Sequence, residues 1–358
     1  MRTLIGLVVV GALVGTPGRA SAQAAKQVHA GIELGGRGVK CTVLEIAPDG
    51  LLRRLVSRTT NTTLSVLDVG GNFRKEAIAD AVKAITDYHK ICREKFEVPD
   101  ARVHVVGSSG VPVAKNRAEF VAAVKKAIGK DIVFIDDKTE VALTFLGIVP
   151  KPERGESIVL DIGGGNTKGG YIPDKKALVY VAIPFGSVTF AQKVRDAAKL
   201  SKGEPLENVA RRLGKTELFE PLRDGAKSMP ELARRKKVYL SGGMLWAMTS
   251  IVRPEAVDDA YVTFTKKDID AFAKVVRKTP GKFPGVDLSK IDDAGRRLRA
   301  KVQLDAVAKA YQSENLIAGA EILQALATAF DLEEKTLLFP RNGSFGWLTA
   351  YIAGEKAP

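Results

Sequence analysis

The sequence predicts a two-lobed α/β fold in which paired glycine-rich strand turns line a phosphate-binding cleft. Three observations carry that expectation. A strand, a glycine turn and a second strand occur twice, at Gly31-Ile-Glu-Leu-Gly-Gly-Arg-Gly-Val-Lys40 and at Val159-Leu-Asp-Ile-Gly-Gly-Gly-Asn-Thr-Lys168. A proline-rich break, Val149 to Gly155, separates them. The composition is rich in Val, Ile, Leu, Ala and Gly while aromatics make up only 6%, which suits buried parallel strands.

Taken in order, the chain opens on a segment set apart from the fold. Arg2 gives a basic start, an apolar run follows from Leu4 to Val14, and Ala20-Ser21-Ala22 is a small-x-small site. Residues 1–22 read as a secretory signal cleaved after Ala22, which makes the mature protein secreted or periplasmic. An uncleaved N-terminal anchor is the alternative. No later stretch is apolar for long enough to cross a bilayer.

The first lobe is expected over 27–149. Its opening hairpin leads through Pro48-Asp-Gly50 to a third strand, Leu51 to Thr59. Apolar residues at Ile78, Ala81, Val82, Ile85 and Tyr88 recur at helical spacing, predicting a helix from Phe73 to Val98. A strand at Val103 to Val106 ends in Gly107-Ser-Ser-Gly110. A helix from Asn116, a strand at Ile132 to Ile135 and a helix from Thr139, capped by Asp136 or Asp137, complete the unit. The second lobe, 150–355, begins the pattern again. Strands at Leu178 to Ile183 and from Val238, and helices from Val188, Pro205, Leu245, Lys266, Arg296 and Asn315, follow. The two lobes therefore read as duplicates of one βββαβα unit.

In each hairpin a carboxylate, Glu33 or Asp161, stands two residues before the glycines, and a lysine follows at matching distance. Gly35 and Gly36 in one turn, and Gly163, Gly164 and Gly165 in the other, let backbone N–H groups approach an oxyanion closely. Arg37, Asn166, Thr167 and Lys168 add side-chain donors. Asp161 and Glu33 are candidate ligands for Mg2+ or Mn2+. The formal charge of +14 favours an anionic partner. Aromatics are not interleaved with the basic clusters, which argues against base stacking and specific nucleic-acid recognition. Cys41 and Cys92 read as buried free thiols, and His29, His89 and His104 lack zinc spacing.

With these motifs in hand, the chain resembles the exopolyphosphatase / guanosine pentaphosphate phosphohydrolase family, within the actin-like ATPase, sugar kinase and heat-shock chaperone superfamily. Ala114-Lys-Asn-Arg-Ala-Glu-Phe120, Thr139-Glu-Val-Ala-Leu-Thr-Phe-Leu-Gly147, Ile183-Pro-Phe-Gly-Ser-Val188 and Leu240-Ser-Gly-Gly243 follow in family order. The resemblance implies two duplicated actin-like (ribonuclease H-like) lobes with an interlobe cleft. It makes Glu140 the general base that activates water against a terminal phosphoryl group. It also implies a polyphosphate or phosphorylated-nucleotide substrate, and it leaves a homodimer open.

Four positions depart from the family pattern. Glu33 replaces an Asp, and Gly36-Arg37 replaces a Ser-Asn pair. Val111-Pro112 stands where a phosphate-gripping arginine is usual, and Lys168 takes the place of a carboxylate. Three functions are expected in descending order: an exported phosphoanhydride hydrolase, a non-catalytic polyphosphate or nucleotide binder, and an ATP-dependent kinase-like protein.

Overall fold

A computed structural model describes residues 27–47, 52–173, 177–201, 203–341 and 343–355. The expected signal segment, its cleavage site and the Pro48-Asp-Gly50 turn lie outside these residues.

The first unit runs Gln27–Leu34 (β1), Gly38–Ile46 (β2), Leu52–Asn61 (β3), Lys75–Lys90 (α1), Val103–Gly107 (β4), Arg117–Ile128 (α2), Val133–Phe134 (β5) and Asp137–Ile148 (α3). The second begins with Ser157–Ile162 (β6), Thr167–Tyr171 (β7), Val179–Ile183 (β8), Ser187–Leu200 (α4), Leu206–Leu213 (α5) and Glu220–Lys227 (α6). It continues with Lys237–Ser241 (β9), Gly243–Val252 (α7), Tyr261–Phe264 (β10), Lys266–Lys278 (α8), Ala294–Ala310 (α9), Ser313–Ala329 (α10), Thr336–Pro340 (β11) and Gly346–Ile352 (α11).

The strand orders show the duplication. The first sheet is β3-β2-β1-β4-β5, and the second is β8-β7-β6-β9-β11 with β10 added at the far edge. In both, the hairpin side is antiparallel and the crossover side parallel. The central strands are buried on both faces: Ala30, Ile32 and Leu34 in β1, and Ile158, Val159, Leu160 and Ile162 in β6, are each at most 1% exposed.

The helix that closes each unit packs on the other unit. Val141, Ala142, Phe145 and Ile148 of α3 join the core of the second sheet. Trp347, Leu348, Ala350 and Ile352 of α11 cluster with Leu44 and Val106 of the first sheet. The two helices cross where both carry glycine: a Cβ on Gly147 would lie 2.1 Å from the Gly346 carbonyl oxygen. The segment expected to end the second lobe thus covers the first.

Four elements, α6, β10, β11 and α11, escape the sequence periodicity because they are short. β10, for example, buries only Val262 and Phe264. The helix expected from Phe73 to Val98 ends at Lys90 and passes into a π-helical turn, Ile91–Lys95. That turn brings the Cys92 thiol to 3.5 Å from Cys41, both buried and unlinked.

The turn from β9 into α7 depends on one residue. Gly242 has φ +102°, and a Cβ there would lie 2.2 Å from the Ile162 carbonyl oxygen. Both features penalise a side chain. Gly242→Ala should therefore lower stability by about 2–3 kcal/mol, read as a lower urea midpoint with an unchanged slope.

Candidate functional site

Strand register builds the same pair in both lobes. In the β1–β2 hairpin Glu33 stands directly opposite Lys40, and in the β6–β7 hairpin Asp161 stands opposite Lys168. Directly opposed residues on one face of an antiparallel pair bring their side chains together. Lys40 Nζ donates to Glu33 Oε1 at 3.0 Å and Oε2 at 3.3 Å, and to the Ser344 carbonyl at 3.1 Å. Lys168 Nζ lies 3.2 Å from Asp161 Oδ2 and 3.0 Å from Glu140 Oε1, and donates to Asn166 Oδ1 at 3.0 Å.

Glu140 reaches this point from the first turn of α3. Asp136 caps that helix, its Oδ1 accepting from Thr139 N at 2.8 Å. A carboxylate in the first turn is favoured by the helix dipole. Glu140 Oε2 accepts from the backbone N–H of Ser109 at 2.8 Å and from its hydroxyl at 2.6 Å. Asn166 Nδ2 donates to Ser109 Oγ and to Asp137 Oδ1, tying the second lobe to the first. Asp161 Oδ1 accepts from Ser241 Oγ at 2.8 Å. Thr167 is fully buried, and its hydroxyl oxygen has no hydrogen-bond partner among the described residues.

The glycine turns meet each other. A Cβ on Gly165 would lie 2.1 Å from the Gly110 carbonyl oxygen, and one on Gly36 would lie 2.7 Å from the same atom. None of Gly35, Gly36, Gly163, Gly164 and Gly165 has a left-handed φ. These glycines are required by close approach across the interface rather than by backbone conformation. The cleft is consequently shut at this level. Arg37, expected to face phosphate, crosses the interface instead. Its guanidinium stacks 3.4 Å over the Tyr311 ring and donates to the Ala310 carbonyl. The sequence motifs contained Ser109 and Ser241 as turn residues without a role. Asp137 was considered only as a cap, and Tyr311 and Ser344 carried no local signal.

Burial pushes the Glu33 carboxyl up, Lys40 opposes that shift, and the Glu140 and Asp161 charges add to it. Three carboxylates therefore lie within one electrostatic field. Burial works against the Lys168 ammonium, but Glu140 and Asp161 outweigh it and hold the group above the ordinary lysine range. These residues do not fit the expected Mg2+ or Mn2+. Each of the three carboxylates is bonded to an ammonium, at nitrogen–oxygen distances of 3.0–3.3 Å. A divalent cation of that size needs oxygen ligands near 2.0–2.1 Å. No group of three His, Cys, Asp or Glu suited to a metal occurs among the described residues.

A sequence profile described as the Ppx/GppA phosphatase family matches residues 43–241, over half of the chain. A putative exopolyphosphatase of Haemophilus influenzae is 30% identical over 127 residues, covering 35% of this chain and 38% of that protein. Retrograde regulation protein 2 of Saccharomyces cerevisiae is 25% identical over 126 residues, covering 34% and 21%. The matched stretches span well under half the length of these curated relatives. Among solved structures, an exopolyphosphatase from Cytophaga hutchinsonii aligns with a TM-score of 0.67 at 16% identity, covering 92% of this chain and 99% of that one. That likeness is one of fold, and it matches the two-lobed actin-like architecture.

Removing the Lys168 charge strands two buried carboxylates. Lys168→Met should cost about 3–5 kcal/mol at neutral pH. Urea unfolding curves of the two proteins at neutral pH will check that difference.

Proposed function

The chain belongs to the Ppx/GppA phosphatase family, and from that premise we propose that it hydrolyses phosphoanhydride bonds in inorganic polyphosphate or a guanosine pentaphosphate-like substrate. The observation that carries this reading is the setting of Glu140. It is a buried carboxylate at the lobe interface, held by two donors from Ser109 and facing the Asp161 turn. A fixed carboxylate in a water-poor site suits general-base work.

In this reading the lobes part to admit the phosphate chain between the glycine turns. Glu140 accepts a proton from water as the water oxygen attacks the terminal phosphorus. The bond from that phosphorus to the bridging oxygen breaks, and the bridging oxygen leaves on the shortened chain. Backbone N–H groups of the turns at Gly35–Gly36 and Gly163–Gly165, with Asn166, Thr167 and the lysines, stabilise the charge spreading over the phosphoryl oxygens. The net positive charge of the chain draws in the polyanion. The N-terminal signal segment would place the reaction in a secreted or periplasmic setting.

A second reading, phosphate binding without turnover, is favoured by one contact. Lys168 occupies the Glu140 oxygen that Ser109 does not hold, so neither carboxylate oxygen is open to take a proton from water.

Phosphate release from polyphosphate and from a pentaphosphate nucleotide separates the two readings. The hydrolase reading expects turnover that falls about 10²–10⁴-fold in Glu140→Gln. Salt-sensitive binding with no phosphate released by wild type, unchanged in Glu140→Gln, would establish the second reading instead.

A further inference from the structure

We infer that the Lys168 ammonium is a built-in counter-cation, a side chain that occupies the position a divalent metal would take among Glu140, Asp161 and Asn166 and so excludes it. The inference rests on the proposed phosphoanhydride site only in treating those carboxylates as the group a metal would seek.

A lysine ammonium has three N–H donors and no acceptor. Lys168 Nζ has three oxygens around it, Glu140 Oε1 at 3.0 Å, Asp161 Oδ2 at 3.2 Å and Asn166 Oδ1 at 3.0 Å. Its donor capacity is filled by oxygens of three residues, Glu140 coming from α3 and the other two from the β6–β7 hairpin itself. The other carboxylate oxygens are also engaged, Glu140 Oε2 by Ser109 and Asp161 Oδ1 by Ser241.

Lys168 is 2% exposed and sits on β7 at the position paired with Asp161 of β6. Its neighbour Gly169 packs so closely on β6 that a Cβ there would lie 2.4 Å from Leu160 Cδ2. A long surface lysine can swing into solvent, whereas this one has a buried stem and no such route. A free cation could be removed by a chelator, but this one is held by the backbone.

The first lobe places Lys40 against both oxygens of Glu33 at the equivalent register. Two lobes arriving at the same acid–ammonium pair make a chance rotamer an inadequate explanation. Together the two ammonium groups offset most of the charge on three mutually repelling carboxylates. An added divalent ion would instead meet the buried Lys168 ammonium, with the part-buried Lys40 ammonium already paired to Glu33.

Metal uptake tests this without any turnover, so a failure here is distinguishable from a failure of the hydrolase reading. Mn2+ is titrated into the full chain, and free Mn2+ is followed by its paramagnetic resonance signal. Thermal unfolding is recorded in Mn2+ and in chelator. Wild type is expected to take up no Mn2+ with a Kd below about 1 mM, and its unfolding midpoint should be the same in both conditions. Lys168→Ala, which opens the space, should bind one Mn2+ per chain and unfold at a higher temperature with the ion than without it. The added substitution Asp161→Asn should abolish that binding. Lys168→Glu, prepared in Mn2+, provides the same comparison should the alanine variant fail to fold without the ion. Wild-type binding that is lost in Asp161→Asn overturns the inference. So does the absence of Mn2+ uptake, or of Mn2+-dependent folding, in both Lys168 variants.

Discussion

Charge balance at the lobe interface constrains everything built around it. Glu33, Glu140 and Asp161 are nearly removed from water, the first two at 3% exposure. Two like charges at about 4 Å repel by about 4 kcal/mol at the effective dielectric of a protein. An isolated buried carboxylate would protonate or force the interface open. The two lysines prevent both outcomes, but only while their strands stay in register. A slip of one residue in either hairpin would turn the ammonium to the opposite face of the sheet. The hairpin geometry, the packed glycines and the seating of Glu140 therefore stand or fall together.

The shut interface also sets what ligand binding must overcome. Asn166 bridges Ser109 and Asp137, Lys40 reaches the Ser344 carbonyl, and Arg37 stacks on Tyr311. Each contact joins residues from different lobes, and each must be exchanged for a contact of comparable quality when the lobes part. A phosphate chain is suited to that exchange because every unit presents several charged acceptors. A small neutral molecule offers no such compensation. On the proposed hydrolase reading, a preference for polyanions would follow from the closed state itself, as well as from the overall positive charge.

Much of this was legible in the sequence because duplication doubled the signal. The equal spacing of Glu33 to Lys40 and Asp161 to Lys168 is visible without a structure, as are the proline break and the Asp136 cap. Which partner each lysine takes was not legible. That depends on strand register and on Glu140 arriving from a helix elsewhere in the chain. Arg37 looked like a phosphate ligand because it lies inside a glycine turn. Its partner Tyr311 is far away in sequence and joins it only through tertiary packing. The glycines were read as permitting the close approach of an oxyanion. What approaches them in this closed state is other protein backbone, a fact that only the packing of two turns against each other could reveal.

The exchange of α3 and α11 gives the chain an order in time. As the polypeptide emerges from its N-terminus, the face of the first sheet around Gly31, Leu44 and Val106 has no cover. Its cover, Leu348 and Ile352, lies at the far end of the sequence. The first half must wait, part-built and with an apolar face open, until α11 has been made. Neither half is then an autonomous folding unit.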